Sequence, residues 1–172
     1  MPVTEEEFLP KSGGLGFKKA AREVYSKVVD KVQELNKINP DMTFLVDWNS
    51  VLNLPTDLKW TARREELDAP SNVLLYLKFS WRINYLCEEI PKQFVRDPDC
   101  KEAFMGLKKM ILHIQHNPND TQSNGCNPNS YSVKGDELHV TLEGNLPELM
   151  REANDGSNPS LEEEITRLTN AF

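Results

Sequence analysis

Residues 97–118 read DPDCKEAFMGLKKMILHIQHNP, and the way this stretch divides decides the fold. Asp97-Pro98-Asp99 is a helix-start signal, and from it Ala103, Phe104, Leu107, Met110, Ile111 and Ile114 recur at steps of three and four. That spacing predicts one helix carrying these residues on a single face and ending at Asn117-Pro118. If this stretch is helical, the strands must come from elsewhere in the chain.

Downstream, residues 117–130 (NPNDTQSNGCNPNS) hold no apolar side chain except Cys126, so they predict a long exposed loop. Tyr131 to Val133 and Leu138 to Leu142 flank Lys134-Gly135-Asp136-Glu137 and predict a β-hairpin over 131–142. Two strands alone are marginal, which calls for a third. Thr43 to Val51 supplies it, alternating Phe44, Val46 and Trp48 with Leu45, Asp47 and Asn49. The expected fold is therefore α+β: a small, mainly antiparallel sheet (strand 43–51 plus hairpin 131–142) packed against three to four helices.

The remaining helices follow from the same periodicity. Ala21, Val24, Val28, Val32 and Leu35 form a stripe that predicts a helix from about Phe17 to Asn36. Ser71 or Asn72 caps a second expected helix from Val73 to Ile90, stopped by Pro91; its opening VLLYLKF suits a strand equally, and length favours the helix. A short helix around Trp60 to Leu67 is expected between Pro55 and Pro70, and another from Pro147 to Ala153. Ser160 and Glu163 cap a last amphipathic helix with the stripe Leu161, Ile165, Leu168 and Phe172. Thr4 and Glu7 have capping-box spacing, but Pro10 and the glycines at 13, 14 and 16 stop any helix early, so the first ten residues are expected to form an arm or a single turn, with 1–16 as an N-terminal arm and 17–172 as a single domain.

Charge is distributed unevenly. Residues 1–111 hold 17 Lys and Arg against 17 Asp and Glu, whereas residues 112–172 hold 3 against 10, so the net charge of −7 belongs to the last third. This balance argues against nucleic acid, whose phosphates are bound by Lys and Arg. No apolar run approaches the roughly 20 residues of a membrane span, so no membrane is expected as a partner. The acidic N-terminal residues and the three widely spaced cysteines, Cys87, Cys100 and Cys126, fit a cytoplasmic location with reduced thiols.

No motif names a reaction, and the candidate sites come from juxtaposition. If the strand at 43–51 pairs with the hairpin, the sheet face away from the core carries Asp47, Asn49, His139, Thr141 and Glu143. A histidine near carboxylates has the composition of a general base, so Asp47, His139 and Glu143 are the candidate catalytic residues, with loop 117–130 as a lid. The same pattern is also that of a solvated outer face. Gly13, Gly14, Gly16 and Lys18 lead into a helix and are candidate anion ligands, although the phosphate-loop spacing is absent and a flexible turn explains them equally. Cys126 with His113, His116 and His139 lacks paired zinc spacing, and Cys100 at a helix start is a place where a thiol pKa can be lowered. No metal and no cofactor is expected.

Three functions fit these readings. The first is a protein-interaction or regulatory module whose acidic C-terminal third meets a basic partner or another copy of the chain. The second is a small-molecule binder or hydrolase-like enzyme using the polar sheet face. The third is a structural subunit of a larger assembly.

Overall fold

The structure, a computed structural model, describes residues 4–55, 60–62, 65–67, 97–119, 130–145 and 161–172. The expected helices at 73–90 and 147–153, most of loop 117–130, and Cys87 and Cys126 lie outside these residues.

Asp97 caps a helix as expected, accepting the Cys100 N–H at 3.1 Å, but the helix ends far earlier than its periodicity suggests. It covers only Pro98–Met105; Gly106 closes it, and Lys109–His116 is a strand. Leu112 is the residue that decides between the two readings. On a helix it faces away from the apolar stripe, whereas on the strand it alternates inward with Met110 and Ile114 and is fully buried. The long-range pairing of this strand overrides a local pattern that suits both structures.

In chain order the described elements are α1 (Glu5–Phe8), α2 (Leu15–Ile38), β1 (Thr43–Val46), α3 (Trp48–Leu52), β2 (Trp60–Ala62), β3 (Glu65–Leu67), α4 (Pro98–Met105), β4 (Lys109–His116), β5 (Ser130–Lys134), β6 (Glu137–Gly144) and α5 (Leu161–Thr169). The expected hairpin is present as β5 and β6, antiparallel and joined through Gly135, whose φ of 65° suits a tight turn. The fold is α+β, but the four-stranded sheet is mixed and not mainly antiparallel, in the order β1-β4-β6-β5. β1 pairs parallel with β4, and β4 parallel with β6. The reason is the extra strand at 109–116. It sits between β1 and the hairpin, and β5 returns on the far side of β6, so β4 and β6 point the same way.

Two more expectations change. The strand at 43–51 stops at Val46, because the Asp47 carboxylate accepts the Asn49 N–H at 3.1 Å and caps α3. Trp48 still turns inward, as the first residue of that helix. In place of a short helix over Trp60 to Leu67, β2 and β3 pair antiparallel with Trp60 opposite Leu67.

One face of the four-stranded sheet joins the core. Phe44, Met110, Leu112, Leu138, Val140 and Leu142 are at most 2% exposed and form one cluster with the α2 stripe Ala21, Val24, Val28, Val32 and Leu35. Burial of each such side chain contributes about 1.5–3 kcal/mol before chain entropy is subtracted. The capping box at Thr4 and Glu7 forms a single helical turn that delivers Phe8 to this core. The Trp48 indole N–H donates to the Phe8 carbonyl at 2.6 Å, and its ring meets those of Phe8 and Phe17 edge-on at 5.7 Å. Among the described residues no helix is long and apolar enough to cross a membrane.

Asn39 holds α2 to the α4–β4 turn. It is 2% exposed, and its amide donates to the carbonyls of Phe104 and Leu107 at 2.9 and 2.8 Å while its oxygen accepts the Asp41 N–H at 3.2 Å. Asn39→Ala is expected to cost about 1–3 kcal/mol, because it removes the amide donor from two carbonyls, of which that of Phe104 keeps the Leu107 N–H. Asn39→Asp, though isosteric, should cost more, because it sets an acceptor against two carbonyl oxygens. Urea denaturation of both variants checks this order.

Candidate functional site

The other face of the sheet carries a line of polar side chains that crosses three strands. Its first member, Asp47, follows β1 immediately, and its N–H still donates to the Leu112 carbonyl at 2.8 Å, extending the parallel ladder by one residue. This places its side chain beside His113 of β4. Val46 pairs with Leu112 and His113 with Thr141, so alternation brings Asp47, His113 and, one diagonal step away on β6, His139 to the same face.

The three side chains form a hydrogen-bonded chain. Asp47 Oδ2 lies 3.0 Å from His113 Nδ1, and His113 Nε2 lies 2.8 Å from His139 Nδ1. The two imidazoles lie edge to edge in nearly one plane, with ring centres 5.0 Å apart and planes 14° apart. Both are sheltered, with side-chain exposures of 26% for His113 and 15% for His139. Beyond His139 the line continues to Glu137, whose Oε2 is 3.5 Å from His139 Nε2 without hydrogen-bond geometry, and ends at Lys109, which donates to Glu137 Oε1.

The carboxylate sets the direction of every proton in this line. Asp47 is acceptor-only when ionised, so His113 must donate from Nδ1; in the neutral ring Nε2 then carries a lone pair and takes the Nδ1–H of His139. One ring nitrogen is left over, His139 Nε2, which is buried and has no hydrogen-bond partner among the described residues. Burial first, then the charges of His113 and Lys134, hold the His139 pKa below its ordinary value, with Glu137 opposing. Neutral His139 is therefore the form present at neutral pH. The Lys109 ammonium bonded to Glu137 holds that carboxyl below its usual range, and Glu137 in turn raises Lys109.

The depressed histidine has a stability consequence whose sign is fixed. The unfolded chain protonates at about 6.5 and the folded chain at a lower pH, so the contribution of His139 is fully present above about pH 6.5 and is lost as pH falls through the folded pKa. Thermal melts from pH 8 to 5 should show this decline, and His139→Asn should flatten it.

Both rings wall a recess of about 370 Å³ that also meets Ser50, Gln115, Ser132, Lys134 and Thr141. Ser50 is already committed: its hydroxyl donates to the Asp47 carbonyl at 2.6 Å and accepts the Ile114 N–H at 3.1 Å, tying α3 to β4. It is a brace and not a nucleophile.

The expected site is thus joined in part. Asp47 and His139 come together, but through His113, which reading 98–116 as one helix had placed elsewhere. The signal that identifies it is alternation in KMILHIQH, where Met110, Leu112 and Ile114 take turns with Ile111, His113 and Gln115. Glu143 shares the face, opposite Gln115, but lies four residues beyond His139 along β6, about 13 Å, and makes no hydrogen bond with the line. Asn49 leaves the face altogether, since it lies in α3 and is exposed. His113 and His116 are not at a helix end but on β4.

Gly14 caps α2 through its backbone alone, Gly16 lies in the first turn and Lys18 in the second. Gly13 has a structural reason to be glycine: its φ is 106°, and a Cβ there would come within 2.6 Å of the Phe17 ring. Cys100 is buried, with Sγ 3.5 Å from the Thr169 hydroxyl. Burial pushes its thiol up, the reverse of the lowering that a helix start can produce.

Among the described residues no three His, Cys, Asp or Glu side chains converge as metal ligands; the histidine line is linear. Comparison with family models, curated proteins and solved structures finds no match, so function has to be argued from this site.

Proposed function

We propose that the polar face of the sheet binds a small molecule and that the Asp47–His113–His139 line exchanges a proton with it, as a general acid–base group. The observation that carries this reading is the continuous hydrogen-bonded line, anchored by a carboxylate at one end and walling the recess with both imidazoles. A face that is merely solvated has histidines bonded to water; these two are spent on each other and sheltered. The pair acts as one base. Its neutral form has a single vacant nitrogen, and a proton accepted by either ring redistributes through the 2.8 Å bond. With no free nucleophile in the line, the chemistry that fits is proton abstraction or activation of water.

A fragment screen read by amide NMR tests this. Compounds are expected to shift Gln115, Ser132 and Thr141 together, and to stop doing so in Ser132→Tyr, which fills the recess from the exposed edge strand. The reading fails if no fragment moves these amides, or if hits bind the filled variant equally well. The interaction-module reading keeps one supporting observation, the exposure of Glu162 and Glu163 on α5.

A further inference from the structure

We propose that the recess takes a small oxyanion on Lys134, a carboxylate or phosphate group of the ligand, and that each anion bound brings one proton onto the His113–His139 pair. This rests on the reading of the recess as a small-molecule site and specifies what it binds.

Among the described residues no carboxylate lines the recess, and Lys134 is the only one of them there with a fixed charge. Lys134 stands directly across the hairpin from Glu137, the usual cross-strand partner for a lysine. That carboxylate is already taken, with Oε1 on Lys109 and Oε2 turned towards His139. Lys134 is left with no ion pair among the described residues, in a chain whose net charge is −7. Around it are groups able to donate, the hydroxyls of Ser132 and Thr141 and the amide of Gln115. An ammonium beside neutral donors, with the nearest carboxylate already bonded to Lys109, is an oxyanion site in composition and charge.

The proton follows from what surrounds the pair. Asp47 faces it from the end of β1, Lys109 from β4, Glu137 and Glu143 share its face on β6, and Lys134 faces it from β5; α3 contributes only the Ser50 hydroxyl. The Lys134 charge is one of the forces keeping His139 neutral. An anion seated on Lys134 cancels that force. The incoming proton then completes the line: Asp47 and Glu137 each accept an N–H from one end, and one hydrogen is shared in the middle. A second proton would set two N–H groups against each other across 2.8 Å, so the uptake stops at one.

The test is NMR titration of the full chain with acetate, with inorganic phosphate and with acetamide, the neutral isostere of acetate, at pH 6, 7 and 8. Acetate is expected to shift Gln115, Ser132 and Thr141, to bind more tightly at lower pH by no more than tenfold per unit, and to move His139 Nε2 to its protonated ¹⁵N position. Lys134→Gln should weaken acetate about tenfold or more, Lys134→Arg should restore it, and Lys101→Gln on α4 should change nothing. Tighter acetate than phosphate marks a carboxylate ligand, and the reverse marks a phosphate. Acetamide binding as well as acetate overturns the oxyanion assignment while leaving the small-molecule site standing. Acetate binding without pH dependence overturns the proton coupling. If none of the three moves these amides, the anion proposal falls, and the fragment screen decides separately whether the recess binds anything.

Discussion

Glu164→Lys is expected to cost about 3–5 kcal/mol, enough to unfold much of a marginally stable chain, whereas Glu162→Lys and Glu163→Lys should each stay within about 0.5 kcal/mol of the parent. The three acids are consecutive and look equivalent in the sequence, in a first turn where the helix macrodipole favours negative charge. Successive helical positions rotate by 100°, and only Glu164 turns inward, one turn before Leu168; both are 1% exposed. There its Oε2 accepts the Tyr131 hydroxyl from the edge strand β5, joining α5 to the sheet. A lysine at that position buries a cation against a hydroxyl and the apolar core. Glu163, by contrast, is exposed and pairs loosely with Arg167 at 3.5 Å, a contact worth a few tenths of a kcal/mol. Urea denaturation followed by circular dichroism separates the three variants, and a stable, cooperatively folded Glu164→Lys would overturn this account. Charge reversal as a probe of an acidic interaction surface is therefore informative at Glu162 and Glu163 only, because at Glu164 it measures folding.

The same contrast explains which parts of the molecule were legible in its sequence. Elements stabilised by local pattern were readable: the α2 stripe, the hairpin around Gly135, the capping box at Thr4, and the amphipathic α5. Elements decided by long-range pairing were not. KMILHIQH satisfies helical and strand periodicity together, and only Leu138, Val140 and Leu142, placed alongside in parallel register, select the strand. The expected mainly antiparallel sheet fails for this reason alone, since removing β4 from the sheet removes both parallel ladders. The candidate site shows the cost of that one misreading. Alternation places Asp47 and His139 on the correct face, yet the helical periodicity of 98–116 hides their connecting residue, His113. Glu164 is not distinguishable from Glu162 and Glu163 in the sequence, because acids in a first helical turn already have a sufficient explanation.

Asp47→Asn is expected to reverse the histidine line without disturbing the fold. Asparagine caps a helix as well as aspartate does, so the bond to the Asn49 N–H survives and stability should change by no more than about 1 kcal/mol. What changes is the group 3.0 Å from His113 Nδ1, which turns from an acceptor into an amide N–H donor. His113 must then accept at Nδ1 and carry its proton on Nε2. His139 in turn must accept at Nδ1 and carry its own proton on Nε2, towards Glu137. Every nitrogen in the reversed line either accepts a bond or carries a proton while the pair is still neutral, so the vacant base of the parent disappears. The carboxylate that stabilises an added proton is lost as well. For a substrate turned over at this site the rate should fall by about 10²–10⁴, the usual contribution of a positioned acid–base group. The direct check needs no substrate: in ¹⁵N spectra near neutral pH the protonated nitrogen should move from Nδ1 to Nε2 on both rings. If His113 keeps its Nδ1 proton in this variant, the carboxylate does not set the direction of the line, and the acid–base reading of the recess loses its foundation.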